Sequence, residues 1–167
     1  QDEFEGILSD FVKQVEKQNF MIQFTLNTLN ERNIALTKSI AQMIKRDPSI
    51  LNAKDMQSLA NYLKVDEIHV MNKDGVLVSG NIEGFYGFDF KTSDQTLPFM
   101  KIIDNSSYTL AQDPQPRGTD GSLFQYIGVA RLDEKGIVQI GVSPTTLQKL
   151  LQEFEPQKIV SEINFSE

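Results

Sequence analysis

The sequence contains a single histidine, His69, which is the first residue to consider for metal binding or acid–base chemistry. Its nearest candidate partner is Glu67, two residues earlier, and both side chains point to the same face if this segment is a β-strand. A metal site needs further ligands, which no second histidine or cysteine supplies. We therefore expect a surface or pocket-edge histidine rather than a metal site.

The sequence lacks the motifs of two common kinds of catalytic site. A Ser-His-Asp triad could be assembled from the residue types present, but no Gly-x-Ser-x-Gly segment exists to expose a serine nucleophile. The segment Gly84-Phe85-Tyr86-Gly87 has neither the spacing nor the lysine of a phosphate-binding loop. We therefore expect neither catalysis nor a bound cofactor.

Arg117 is a candidate for binding an anion, because it lies in a Pro- and Gly-rich loop with Asp113 and Asp120. A guanidinium fork can hold a carboxylate or phosphate through two parallel hydrogen bonds. The alternative is a structural salt bridge that fixes the loop. The sequence leaves both interpretations open.

Tyr108 and Tyr126 lie in predicted strands near this loop and could supply hydroxyl groups and ring faces to a pocket. Ordinary core packing with a satisfied hydroxyl is the alternative. Arg131 is a second candidate partner for an anion, although a solvent-exposed position at a strand edge explains it more simply. The predicted ligand-binding residues are Tyr108, Asp113, Arg117, Tyr126 and His69.

The composition narrows the class of protein. The chain has 167 residues and a formal charge of −7, which argues against nucleic acid or an anionic membrane surface as its main partner. Hydrophobic residues make up 40% of the chain, enough for a folded core. Cysteine is absent, so disulfides and thiolate sites are excluded while the compartment stays open.

A heptad stripe in the first quarter of the chain predicts one long helix. Apolar residues recur at every seventh position: Leu8, Val15, Ile22, Leu29, Leu36 and Met43. The pair Asp47-Pro48 ends it, because the residue before proline resists the α conformation. From Phe4 to Lys45 the helix would measure about 63 Å, which exceeds the width of the domain that remains.

The second heptad row of this helix is polar: Gln18, Thr25, Arg32 and Ser39. A continuous two-stranded coil is therefore disfavoured. We predict instead a spine whose middle packs on its own domain. The remainder is left free for a second copy, a further module or a membrane stalk.

The rest of the chain predicts short helices and antiparallel strands. A second helix should run to about Leu63, capped by Asn52 or Asp55. Asn72-Lys73-Asp74-Gly75 and Asp133-Glu134-Lys135-Gly136 each indicate a hairpin turn. The other predicted elements are strands at 68–71, 76–78, 108–111, 123–132 and 136–142, and helices at 97–103 and 144–154. The predicted class is α+β, with one sheet of about five strands flanked by helices.

Two segments carry a resemblance to a known family: "LANYLKVDEIHVMNKDGVLVSG" and, after a Gly- and aromatic-rich loop, "LFQYIGVARLDEKGIVQIGV". With the long helix before them, they resemble the Cache (PhoQ-DcuS-CitA, PDC) sensor domains of prokaryotic receptors, over residues 4–154. The resemblance implies a PAS-like sheet that cups a small ligand beneath its loops. It does not imply an amino-acid ligand, because the Trp-containing signature of the amino-acid-binding subgroup is missing and the chain has no tryptophan.

The resemblance also implies an organisation and a function. We expect a spine helix at 1–46, a sensor core at 47–155 and a linker at 156–167 toward a second module or a membrane segment. The function would be ligand sensing outside the cytoplasm for a membrane-tethered receptor of the histidine kinase or chemoreceptor type. Its partners would be a small ligand, anionic if Arg117 binds it, and a second copy of the chain bound through the N-terminal helix. The alternative is a non-sensing dimerisation or adaptor module that acts through the heptad helix.

Overall fold

The computed structural model describes residues 2–143 and, beyond them, residues 145, 146 and 149. Apart from those three positions, the predicted helix at 144–154 and the predicted linker at 156–167 lie outside the described residues. The chain divides into two compact units, Gln1–Glu31 with Lys149–Glu167 and Arg32–Gln148.

The predicted long helix is present as α1, Asp2–Arg46. Acidic side chains in its first turn and basic ones in its last turn interact favourably with the helix dipole. Along residues 2–31 several apolar side chains of the helix are exposed: Phe4, Ile7, Leu8, Phe11, Val12, Val15 and Ile22. No helix among the described residues combines the length and apolar character needed to cross a membrane.

The predicted end of α1 is confirmed, and the chain turns there. Asp47 accepts a hydrogen bond from the Ser49 amide at 3.2 Å and caps a short 3-10 helix, Pro48–Ile50. The next helix is α2, Ala53–Leu63. Of its two predicted caps the structure uses Asn52, whose side chain accepts from the Asp55 amide at 2.9 Å.

Among the described residues, six strands form one antiparallel sheet, which confirms the predicted α+β class. They are β1 (Glu67–Met71), β2 (Leu77–Gly80), β3 (Leu110–Ala111), β4 (Gln115–Pro116), β5 (Leu123–Ala130) and β6 (Ile137–Val142). The order in the sheet is β2-β1-β6-β5-β3, with β4 pairing β5 at one end. The two-residue strand β4 lies within residues 113–121, the Pro- and Gly-rich segment around Arg117 that was predicted to be a loop.

Both predicted hairpins are present. The β1–β2 turn is closed by the Asn72 side chain, which accepts hydrogen bonds from the amides of Asp74 at 2.9 Å and Val76 at 3.0 Å. Gly75 has a φ of +78°, a conformation that side chains disfavour. The β5–β6 hairpin is closed by a bond from the Arg131 amide to the Gly136 carbonyl at 3.1 Å.

The sheet is covered on both faces, so β1 and β6 are buried at every position. One face packs on α1 and α2 through a cluster that includes Ile40, Ile44, Met56, Ile68 and Ile140. The other face packs on residues 85–103 through a second cluster: Met71, Leu77, Phe90, Phe99, Ile102, Ile103 and Ile137. Successive side chains of a strand point to opposite faces, so they pack alternately against the two helices on one face and residues 85–103 on the other.

The second face is covered by residues 81–104, which we call the cover segment. It contains three 3-10 helices, Glu83–Phe85, Phe90–Thr92 and Leu97–Met100, and a short helix α3, Lys101–Asp104. Its backbone bonds to the free edge of β2: the amide of Gly87 donates to the Leu77 carbonyl at 2.8 Å, and the amide of Leu77 donates to the Phe88 carbonyl at 2.9 Å. These bonds fix the cover segment over the sheet.

Candidate functional site

A cavity of about 340 Å³ lies between the sheet and the cover segment. Its size falls within the range of small-molecule sites. The apolar wall consists of Leu77, Phe85, Phe88, Phe90 and Phe99. Polar side chains complete the lining: His69, Ser93, Gln95, Thr96, Arg117, Thr119, Tyr126 and Gln139.

One row of the sheet places Glu67, Gly141 and Tyr126 side by side on β1, β6 and β5. The Tyr126 hydroxyl reaches across β6 and donates a 2.7 Å hydrogen bond to Glu67 Oε2. Gly141 makes this possible, since a Cβ there would lie 2.7 Å from Glu67 Oε2 and 2.8 Å from Tyr126 Cε1. The lack of a side chain at position 141 therefore leaves room for the Tyr126 ring to reach Glu67.

Glu67 is a buried carboxylate. Burial alone raises the pKa of its carboxyl, but polar contact with His69, the hydrogen bond from Tyr126 and the charge of Arg117 together hold the pKa below its usual range. For Tyr126, burial and the nearby negative charge of Glu67 raise the pKa of the hydroxyl. At neutral pH the tyrosine therefore stays a donor and the glutamate an acceptor.

The next row on the same face places His69 beside Gln139. His69 Nε2 lies 3.4 Å from Glu67 Oε1, which is longer than a well-formed hydrogen bond. The other ring nitrogen, Nδ1, is buried and has no hydrogen-bond partner among the described residues. Within the part of the chain that the structure describes, no group of three His, Cys, Asp or Glu side chains is placed to hold a metal ion.

Arg117 enters the site from the turn between β4 and β5. Its Nε and Nη2 atoms donate to the two carboxylate oxygens of Asp120, both at 2.8 Å. Its guanidinium stacks over the Phe124 ring at 4.1 Å, and Nη1 lies 3.4 Å from Glu67 Oε1. Asp120 also accepts from the Ser122 hydroxyl at 2.6 Å, so its carboxylate joins Arg117 on one side of the turn to Ser122 on the other.

The hydrogen bonds between Arg117 and Asp120 shift the pKa of both groups. The paired hydrogen bonds from Arg117 hold the pKa of Asp120 well below its usual range. The same bonds raise the pKa of Arg117 above its ordinary value. Of the two interpretations of Arg117, the structure shows the salt bridge that fixes the loop; an additional role toward an anion stays a prediction.

The comparisons with known proteins bear on the fold. No protein-family model matches the sequence, and no curated protein matches it significantly. The sensory domain of the Campylobacter jejuni chemoreceptor Tlp3, with isoleucine bound, matches with a TM-score of 0.60 at 11% identity, over 86% of this chain and 64% of that chain. The sensor domain of the Vibrio cholerae histidine kinase DctB matches with a TM-score of 0.57 at 13% identity, over 90% of this chain and 61% of that chain. The Bacillus subtilis YkuI protein, which has an EAL domain, matches with a TM-score of 0.64 at 11% identity, over 86% of this chain and 38% of that chain.

This chain has the fold of a Cache sensor domain. The sequence-based resemblance is thus confirmed at the level of the fold, including the sheet and the long N-terminal helix. The chain spans less than two thirds of each matched structure, 64%, 61% and 38% of their lengths.

Three of the predicted ligand-binding residues line the cavity: His69, Arg117 and Tyr126. Tyr108 is half-buried outside the lining, with Lys101 Nζ 4.6 Å above its ring. Asp113 is exposed between β3 and β4, and it is Asp120 rather than Asp113 that pairs with Arg117. The ligand contacts of all five residues stay predictions.

The sequence did not identify several polar residues in the cavity lining or bonded to it. Glu67 was considered only as a metal partner for His69, and Gln95 and Gln139 were not considered. A signal for Gln139 was present, because it is the one polar residue within the strand Ile137–Val142. A polar side chain in an otherwise apolar buried strand indicates a polar site on that face.

Arg131 does not occupy a solvent-exposed strand edge, as the sequence suggested. It is 7% exposed, and its Nε and Nη2 atoms donate to Asp133 at 3.0 and 2.8 Å. Its Nη1 donates to the Met71 carbonyl at 3.3 Å. Arg131 therefore ties the β5–β6 hairpin to β1, and it is not part of the cavity lining.

Proposed function

We propose that this Cache domain is the extracytoplasmic ligand-sensing part of a membrane-bound signal-transduction receptor of the histidine kinase or chemoreceptor type. The observation that carries the proposal is the cavity of about 340 Å³ beneath the cover segment. It combines an apolar wall with a few convergent polar groups, as small-molecule sites do. The Tlp3 domain, which shares the fold and was solved with isoleucine bound, supports a small-molecule ligand.

Ligand binding can reach the long helix through the sheet. A ligand shifts a receptor only if one conformation binds it more tightly than another. His69, which lines the cavity, lies on β1 between Ile68 and Val70, which belong to the cluster containing Ile40 and Ile44 of α1. A displacement of β1 toward or away from the ligand would therefore displace α1, and α1 would transmit this movement toward the membrane.

The proposal includes a dimer and a membrane tether. The exposed apolar side chains along residues 2–31 support association of two copies through their N-terminal helices. The division into a spine helix at 1–46, a sensor core at 47–155 and a linker at 156–167 belongs to the same proposal.

A thermal-shift screen of the chain against organic acids, amino acids and purines tests the proposal. A ligand at a hundred times its Kd stabilises the folded state by about 2.7 kcal/mol. For a chain of this size, that corresponds to a rise in Tm of about 5–10 °C. Thr119→Trp should abolish the shift by filling the cavity mouth, while Ser106→Trp, in an exposed turn, should leave it unchanged.

The same screen separates this proposal from the alternative of a non-sensing dimerisation module. That alternative is favoured by the exposed apolar stripe of α1. It predicts a constitutive dimer in sedimentation equilibrium and no Tm shift with any compound. A sensing domain would show a Tm shift that Thr119→Trp removes, whatever its oligomeric state.

A further inference from the structure

The charged side chains around the cavity already hold one another. Asp120 accepts hydrogen bonds from Nε and Nη2 along one edge of the Arg117 guanidinium, and Nη1 lies 3.4 Å from Glu67 Oε1. Glu67 in turn accepts from Tyr126. No lysine lines the cavity among the described residues, and the carboxylates of Asp120 and Glu67 already offset the charge of Arg117, so these side chains offer an anionic ligand no uncompensated positive charge.

Three further polar groups of the cavity wall, in contrast, have no hydrogen-bond partner among the described residues. His69 Nδ1 and Gln95 Nε2 are buried and make no hydrogen bond to any described residue. Gln139, which is 2% exposed and lines the cavity, makes no side-chain hydrogen bond within the part of the chain described. Buried polar groups without partners are costly, which makes these three groups the natural contacts of a ligand.

The polarity of these groups defines what they can bind. His69 Nδ1 donates or accepts a hydrogen bond according to which ring nitrogen carries the proton. Gln95 Nε2 is a donor, and the Gln139 amide is both donor and acceptor. The complement is a group that places an N–H beside a C=O without net charge, as a carboxamide or a lactam does.

The apolar wall defines the rest of the molecule. Four phenylalanine rings, Phe85, Phe88, Phe90 and Phe99, surround the space next to these polar groups. Aromatic walls favour flat, unsaturated bodies that stack on ring faces or meet their edges.

We infer that the ligand of this cavity is an uncharged, flat molecule with a carboxamide or lactam edge rather than an anion. The inference rests on the proposed function, because it concerns the same cavity. His69 and Gln139 would bind the polar edge from the sheet, and Gln95 would bind it from the cover segment.

Matched acid–amide pairs test the inference, since the two members of each pair differ only in charge and donor pattern. The probes are benzamide with benzoate, nicotinamide with nicotinate, and indole-3-acetamide with indole-3-acetate. Isothermal titration calorimetry of the chain at neutral pH should give at least one pair in which the amide binds at least about tenfold more tightly than the acid.

Variants locate the binding. Gln139→Met and Gln95→Met keep the length of the side chain and remove its hydrogen-bonding groups, and each should weaken amide binding about tenfold. Gln23→Met, on an exposed position of α1, is the matched control and should change nothing. Circular dichroism of the variants shows whether they remain folded.

The inference is overturned if the acids bind as tightly as their amides, or if no amide binds at millimolar concentration. It is also overturned if amide binding survives in both glutamine variants. In each case a ligand found in the broader thermal-shift screen would leave the proposed function standing. If that screen also finds nothing, the proposed function fails as well.

Discussion

The close approach of β6 to the Glu67–Tyr126 pair gives a sharp prediction for Gly141→Ala. The added Cβ would lie 2.7 Å from Glu67 Oε2, 2.8 Å from Tyr126 Cε1 and 3.1 Å from Glu67 Cβ. Glu67 is 1% exposed and cannot swing into solvent. The tyrosine and the glutamate must therefore separate, and their 2.7 Å hydrogen bond is lost.

The magnitude has two parts. A hydrogen bond to a charged group contributes about 1.5–3 kcal/mol. Forcing an extra methyl group into a packed interior costs about 1–3 kcal/mol. We expect Gly141→Ala to lower the free energy of unfolding by about 3 kcal/mol, measured by urea denaturation monitored by circular dichroism.

A double-mutant cycle separates the two parts. Tyr126→Phe removes the hydroxyl and the hydrogen bond but keeps the ring, so the steric conflict with a Cβ at position 141 remains. The double variant should therefore lose about 1.5 kcal/mol less than the sum of the single losses. Gly84→Ala is the control, because a Cβ there has no atom within 4 Å, and it should change stability by less than about 0.5 kcal/mol.

Two results would refute this account. A loss below about 1 kcal/mol for Gly141→Ala would mean that the sheet accommodates the methyl group without disturbing the pair. Strictly additive losses in the cycle would mean that Gly141 and the Tyr126–Glu67 bond are independent.

Two further predictions concern the charged groups of the site. The folded-state pKa of Glu67 is lowered, so the ionised carboxylate stabilises the fold above the unfolded pKa of about 4.3, and this stabilisation is lost as pH falls through the folded pKa. The wild-type protein should therefore have a larger free energy of unfolding than Glu67→Gln at pH 7, and the difference should narrow in acid. A difference that does not change with pH would contradict this prediction. Asp120→Asn removes the charge that pairs with Arg117, so calorimetry should show benzoate binding more tightly to this variant than to the wild-type chain, with little change in stability because the pair is at the surface. Unchanged benzoate affinity would show that Asp120 does not compete for Arg117.

Features fixed by neighbouring residues could be predicted from the sequence. The Asn72–Gly75 turn depends on a local amide side chain and a glycine, and the Asn52 cap depends on the amide three residues later. The end of α1 before Pro48 is equally local. In each case, the chemistry that decides the structure lies within a few residues, so a pattern suffices.

The candidate site could be predicted only in part, because distant residues form it. Glu67 and Tyr126 are separated by 59 positions and meet only through the register of β1, β6 and β5. The partner of Arg117 could not be predicted either, since Asp113 and Asp120 both flank it. The turn that pairs β4 with β5 brings Asp120 to the guanidinium and leaves Asp113 exposed.

The two faces of β1 connect the cavity on one side of the sheet to helix α1 on the other. His69 faces the cavity, and its neighbours Ile68 and Val70 are fully buried in the cluster that contains Ile40 and Ile44 of α1. A closely packed interior has almost no free volume, so it cannot absorb a displacement of the strand. Ligand contacts that shift β1 must therefore move α1 or break this packing. Of the two, moving the helix costs less, because breaking the packing would open a cavity among side chains that are 0% exposed.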